Sequence, residues 1–347
     1  MSTLKVNALN NGGSAIDLPN SFKLGGNPIE QGYTSSATEP TSPNTGDLWW
    51  DSANETLYQY LNGDFKEITL STSGVWYGAR AVFLRWSNSL EYITVATTGN
   101  ATSFGTGDGG LGSAGLSNGT RALFAGDSGT RAEINYITTA TTGNSADFGD
   151  LTAASNYMGA SGDGTYGIFI GGNFTNVIER VTVATTGNAT DHGDATTTGY
   201  GGAAWSNGTR CVHAGGDNKN RIEYVSFATA ENATDFGDLT GNRGTLASTG
   251  DTTRMCVGGG YVSSSGVNNI EYVTMATTGD ATDFGDLTVA RKEFSGSGDA
   301  TYGVFGGGQT TNYNVIDYIT IQTTGNATDF GDLIGSAGTA CASGAAA

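Results

Sequence analysis

One phrase is written six times in this chain: ATTGNATSFG, ATTGNSADFGD, ATTGNATDHGD, ATAENATDFGD, ATTGDATDFGD and QTTGNATDFGD. The matching residues Asn100, Asn144, Asn188, Asn232, Asp280 and Asn326 lie 44, 44, 44, 48 and 46 positions apart. A period near 45 with a strand-like pattern in every copy means that each unit buries its apolar faces only by stacking on the next. That is the signature of a β-propeller. Six near-identical units form a scaffold, so function is expected where the copies disagree.

Each unit reads as four short strands. In VARKEFSGSGDATYGVFGGGQTTNYNVIDYITIQTTGNATDFGDL they fall at Lys292–Ser297 (a), Tyr302–Gly306 (b), Ile316–Gln322 (c) and Ala327–Asp332 (d). The a–b connections (SNGT, SGDGT, TGDT, SGDAT) and the c–d connection TTGN carry the Gly, Asn and Asp that tight hairpins need. Strand c alternates, with Ile316, Tyr318 and Thr320 set against Asp317, Ile319 and Ile321. The paired glycines after strand b (VFGGG, FIGGN, VGGGY) and the aromatic in strand d resemble the kelch repeat over residues 75–347. Here Phe104, Phe148, Phe236, Phe284 or Phe330, and His192 once, stand where kelch has tryptophan.

The count of strands predicts how the ring closes. Strands b and c begin at Ala79–Ala96, whereas the last d and a strands fall in ATDFGDLIGSAGTACASG. The segment near Thr339–Ser343 is therefore expected beside Ala81–Leu84 in the first blade, leaving no open seam. The resulting expectation is an all-β protein with a six-bladed, kelch-like propeller over residues 71–347, preceded by an extended segment (1–45) and a small β-hairpin module (46–70).

Composition limits the partners. Lys and Arg total 15 against 33 Asp and Glu, a formal net charge of −18, which opposes nucleic-acid phosphates and anionic membranes. No run of apolar residues is long enough to span a bilayer, and MSTLKVNALNNGGSAIDL lacks the apolar core of a signal peptide. Cys211, Cys256 and Cys341 form no CxxC and read as small buried strand residues of a protein made in a reducing cytoplasm. Only His192 and His213 are present, with no GxSxG, Walker or zinc spacing. No enzyme, cofactor or metal is expected. The paired carboxylates of Asp-Phe-Gly-Asp, as in Asp283/Asp286, give two ligands per blade where calcium needs six to eight.

All four prolines (Pro19, Pro28, Pro40, Pro43) precede the repeats, and residues 1–45 show no core-forming period. Then GDLWWDSANETLYQYLNGDFKEI predicts strands at Leu48–Asp51, Leu57–Leu61 and Phe65–Ile68, with Asn62-Gly63 as a hairpin turn. This hairpin and the opening STLKVNALNNGG resemble modules of tail fibres and other virion proteins of tailed bacteriophages. The resemblance implies that residues 1–70 attach to other virion proteins. It also implies a homo-oligomer, a trimer being the form common in such fibres, and a distal domain that contacts a host-surface glycan or outer-membrane component. It places the protein in the virion, made in the host cytoplasm. The alternatives are a capsid- or tail-decorating protein with only virion contacts, and a cellular kelch-type scaffold.

The copies disagree on one face. The a–b and c–d turns are monotonous, whereas the b–c loops (RWSNS, GDSGTRAE, GGNFTNV, GGDNKNR, GGYVSSSGVNN, GGQTTNYNV) and d–a connections (AASNY, TTTGY, TGNRG, TVARK) vary. The receptor-binding candidates therefore lie there. Trp86, Phe174, Tyr261 and Tyr313, with Tyr157 and Tyr200, could stack on sugar faces. Asn156, Asn242, Arg243, Lys219 and Arg291 could hydrogen-bond to hydroxyls or acidic groups.

Overall fold

The computed structural model describes residues 23–24, 27–28, 33–45, 47–51, 56–61, 63–67, 80–309, 314–335 and 339–345. It falls into two compact units, Met1–Ser71 and Thr72–Ala347.

The larger unit is a six-bladed β-propeller. The first blade takes strand a from Thr339–Ala345 and b, c and d from Arg80–Arg85, Ser89–Thr94 and Thr102–Thr106. The second runs Ala114–Ser117, Arg121–Ala125, Arg131–Thr138, Ala146–Ser155, and the third Gly159–Gly162, Tyr166–Ile170, Thr175–Thr182, Thr190–Gly199. The fourth is Ala203–Ser206, Arg210–Ala214, Lys219–Ser226, Thr234–Arg243, and the fifth Ala247–Gly250, Arg254–Gly258, Ser265–Thr274, Thr282–Arg291. Ser295–Gly298, Tyr302–Gly306, Val315–Thr320 and Thr328–Asp332 complete the sixth. All neighbouring strands within a blade are antiparallel, and the a strands pack against one another around the axis.

Closure is as the strand count predicted. Cys341 pairs with Leu84 and Ala345 with Arg80, so the far end of the described chain supplies the innermost strand of the first blade. The core is not one mass but six layers, each shared by two neighbouring blades. Val82, Leu84 and Phe104 of the first blade meet Ala122, Phe124 and Ile137 of the second. The sixth returns to the first through Val304, Ile316 and Phe330 against Ala81, Phe83 and Ile93. Cys211 and Cys256 are buried free thiols in two of these layers.

Physical causes for the repeated phrase are visible at the blade junctions. The side chain of its Asn accepts a hydrogen bond from the main chain of strand d in the preceding blade. The donors are the N–H groups of Thr106, Asp150, Asp194, Asp238, Asp286 and Asp332, onto Asn144, Asn188, Asn232, Asp280, Asn326 and Asn100 respectively, all at 3.0–3.1 Å. All six junctions, including the one that closes the ring, carry this clasp. The Gly that follows the Phe, or His192 in one copy, makes it possible: a Cβ on Gly193 would lie 2.2 Å from the Glu231 carbonyl oxygen, and one on Gly331 2.5 Å from that of Gly99. Both glycines also sit at φ near +140°.

A second inter-blade clamp uses an acidic residue buried in strand c. Glu179, Glu223, Glu271 and Asp317 accept from the N–H and hydroxyl of Thr152, Thr196, Thr240 and Thr288 in the preceding blade, and Glu91 accepts from Ile334 N–H. A third uses arginine. Arg80, Arg121, Arg210 and Arg254 at the start of strand b lie over Tyr92, Tyr136, Tyr224 and Tyr272 in strand c, 4.1–4.6 Å from the ring centres. Each guanidinium also donates to a carbonyl of the next blade. In the third blade the pair is reversed, with Arg180 on strand c over Tyr166 on strand b at 4.4 Å.

The a–b turns are Asx turns. Asn118, Asp163, Asn207, Asp251 and Asp299 each accept from the amides two and three residues on. This fixes an identical hairpin in five blades and explains the monotony of that face.

One expectation needs correcting. Strand d does not stop at the second Asp of the phrase; in blades two to five it is ten residues long and continues past that Asp. AASNY, TTTGY, TGNRG and TVARK therefore lie largely in a sheet, because Glu133, Val177, Arg221 and Asn269 pair with the second Asp and the ladder continues beyond it. In the smaller unit the described sheet reaches back before residue 46. Tyr33–Ser36 joins the sheet parallel to Leu48–Asp51, making four strands with Thr56–Leu61 and Asp64–Glu67. Trp49 holds it there, its Nε1 donating to Ser36 O at 3.2 Å, while Trp49 stacks on Tyr58 and meets Phe65 edge-on.

Candidate binding mouth on the variable face

The d–a connections converge at the axis, and each turns its corner the same way. The residue two before strand a adopts the left-handed conformation in all five corners of the described chain: Gly112 (φ 82°), Tyr157 (51°), Gly201 (72°), Thr245 (49°) and Glu293 (56°). For Gly this costs nothing; for Tyr, Glu and above all β-branched Thr it is strained by about 1–2 kcal/mol each. The corners are chained by main-chain hydrogen bonds: Tyr157 N to Gly112 O, Gly201 N to Tyr157 O, Leu246 N to Gly201 O, and Glu293 N to Thr245 O. They enclose a cavity of about 60 Å³ that opens on this face. Tyr157, Thr245 and Glu293 line it with apolar Leu111, Met158 and Phe294.

Its lining carries polar groups as well. Thr245 is 5 % exposed, and its Oγ1 is buried without a hydrogen-bond partner. Burial raises the Glu293 carboxyl above the usual carboxylate range, with Lys292 pulling the other way, its Nζ 3.9 Å from the carboxylate. The Tyr157 phenol is pushed up to about 12, by burial first and then by the charge of Glu293 and by Tyr200. Tyr261 is raised as well, by burial, its bond to Tyr200 and the charges of Asp217 and Glu293. Both phenols are thus neutral donors at physiological pH.

An aromatic ledge flanks the cavity. Tyr157 meets Tyr200 edge-on at 6.0 Å, Phe174 lies 4.5 Å from Tyr200, and the Tyr200 and Tyr261 hydroxyls are 2.9 Å apart. Lys292 Nζ sits over the Tyr261 ring at 5.6 Å. Phe174 occupies the second of two left-handed positions in its b–c turn, after Asn173, and is 62 % exposed. A bulky aromatic in that conformation, held in water by a strained turn, is a costly arrangement for a residue with no contact to make.

The structure thus brings Tyr157, Phe174, Tyr200 and Tyr261 together. Trp86 is also on this face and 56 % exposed, near Gly110. Lys219 is held by Thr198 O and Asp217, and Asn156 donates to Thr130. Asn242 is exposed on the outer strand d of its blade. Tyr313 lies outside the described residues. Arg243 and Arg291 are not surface groups: each ends a ten-residue strand d with its side chain turned inward. Arg243, 2 % exposed, donates to the carbonyls of Gly259 and Asn269 with Glu271 at 3.0 Å, and Arg291, fully buried, donates to Phe305 O and Asp317.

Sequence reading missed Thr245 and Glu293. The signal was present in register: both stand where Gly112 and Gly201 stand in other blades, a position asking for positive φ. No family model matches the chain, and no curated protein matches it.

Proposed function

We propose that this chain is a structural protein of a tailed-phage particle, a tail fibre whose propeller binds a host-surface receptor through the variable face. The observation that carries the reading is the aromatic ledge of Tyr157, Phe174, Tyr200 and Tyr261 beside a strained axial cavity, on the one face where the repeats diverge. Stacking aromatics with neutral hydroxyl donors suit a glycan, whose apolar C–H faces lie flat on rings while its hydroxyls find polar partners. The virion assignment draws on the resemblance of GDLWWD…TLYQYLNGDFKEI and STLKVNALNNGG to phage fibre modules, with residues 1–70 as the attachment end.

The full chain is tested for binding to intact candidate host cells and to their extracted surface polysaccharide, beside Phe174→Ala and Trp86→Ala. Both side chains are more than half exposed, so both variants should keep the wild-type melting temperature. Saturable binding that Phe174→Ala loses is the expected result. Failure to bind any cell or polysaccharide, with binding to purified phage particles retained, would transfer the protein to the decorating class.

A further inference from the structure

Resting on the receptor-binding reading, we infer that the axial cavity selects the acetamido group of an uncharged N-acetylated amino sugar, whose ring then lies on the aromatic ledge. Size comes first: a cavity of about 60 Å³ takes one end group rather than a pyranose ring. Its lining mixes apolar and polar groups, as an acetamido group does. Leu111, Met158 and Phe294 offer apolar surface for a methyl, Glu293 offers an acceptor for an N–H, and Thr245 offers a hydroxyl for a carbonyl.

Thr245 carries the argument furthest. Its hydroxyl is buried and unpartnered, and its backbone is held at φ 49° although Gly serves at the equivalent corners 112 and 201. A β-branched residue in that conformation is costly, and an unpaired buried hydroxyl adds to the cost. A ligand acceptor at Oγ1 removes the second cost, while the backbone strain stays as the cost of placing a hydroxyl there. Charge selects against anions. On this face Glu293 has Lys292 at 3.9 Å and Asp217 has Lys219 at 3.4 Å, while Arg131 alone serves Asp108, Asp127 and Glu133, so carboxylates are in excess. A neutral sugar fits this balance better than a sialic acid, and a hexosamine with a free amine lacks the methyl that Leu111, Met158 and Phe294 would cover.

The test uses the full chain and saturation-transfer NMR with the methyl glycosides of N-acetylglucosamine, N-acetylgalactosamine, glucose and galactose, beside host-surface polysaccharide. The expected result is binding of the acetamido glycosides, at least about tenfold tighter than their hydroxyl parents, with the strongest transfer to the acetyl methyl. Thr245→Gly should weaken the acetamido sugars about tenfold while raising the melting temperature, because Gly suits the corner better than Thr. A purely structural Thr245 would leave affinity unchanged. Glu293→Gln should weaken binding in the same direction. Equal affinity for both sugar pairs, or full affinity in Thr245→Gly, overturns the inference. Binding of polysaccharide without any binding of the acetamido glycosides also overturns it and leaves the receptor reading standing. Binding of acetamido glycosides without binding to host material supports the cavity assignment and sinks the receptor reading. Absence of all binding removes both.

Discussion

The main-chain N–H of Asp332 donates to Oδ1 of Asn100 at 3.0 Å, joining residues 232 positions apart in the chain. The same bond at the other five junctions joins residues only 38 to 42 apart. Geometry is constant while loop length is not, so a repeat and a ring closure are the same contact seen in two places.

Asn188→Ala and Asn100→Ala should therefore cost about the same, about 1 kcal/mol each, because each leaves one strand d amide to water. Calorimetry should show a fall of about 2 °C for either. Asn100→Asp should be close to neutral, since Asp280 already fills that role at 3.0 Å. A much larger loss for Asn100→Ala than for Asn188→Ala would mean that the closing junction is weaker than the rest.

Gly193→Ala should be far worse than either. Its Cβ would stand 2.2 Å from the carbonyl oxygen of Glu231, and φ is +138°. The obstacle is backbone and cannot swing away, so about 3 kcal/mol or more is expected, read as a fall in the urea midpoint.

His213 stands where other blades carry Phe83, Phe124, Phe169 or Phe305, and its Nδ1 bonds Glu223 Oε1 at 2.9 Å. Burial depresses the imidazole despite Glu223, with Arg221 acting in the same direction as burial. The unfolded chain thus takes up a proton below about pH 6.5 that the folded protein refuses, and stability falls as pH drops through that window. Burial opposes the charge of Glu223, but His213, Arg221 and Thr196 hold its carboxyl at about 2. A further loss follows as pH falls from the ordinary carboxylate range towards about 2. His213→Phe should flatten the first of these slopes and weaken the second, which Arg221 and Thr196 alone would then sustain, as melting temperatures from pH 7 to pH 3 would reveal.

The reversed pair in the third blade offers a double-mutant cycle. Tyr166→Arg alone faces Arg180 with a like charge, and Arg180→Tyr alone loses the bond from Nη1 to Phe227 O at 2.9 Å. Together the two changes restore the arrangement of Arg210 over Tyr224. The double variant is expected to be at least about 1 kcal/mol more stable than the sum of the single effects predicts. Simple additivity would remove the coupling.

Fold and register were legible in the sequence because propeller blades repeat, and repetition separates signal from accident. Blade number, strand order and the place of Thr339–Ser343 all followed from it. What the phrase is for was not legible. TTGN read as a turn and Asp-Phe-Gly-Asp as a strand end, while the bond between them crosses from one copy to the next. The fate of Arg243 and Arg291 was hidden for a related reason: a ten-residue strand d carries its alternation past the last recognisable motif residue, so charged side chains at its end point inward. At the mouth, the aromatic candidates were found by their divergence, but Thr245 and Glu293 look like ordinary loop residues until backbone angles are known.

The sharing of the first blade has a consequence for synthesis. As the chain leaves the ribosome, Arg80–Arg85 emerges early and its inner partner Thr339–Ala345 only after every other strand of the ring. Until then the nascent protein is an arc with a bare strand edge, and such edges pair with whatever strand is near, including those of sister chains on the same message. Yield in the cell is therefore a contest between elongation and aggregation, and slow codons late in the gene should cost more soluble protein than slow codons early in it.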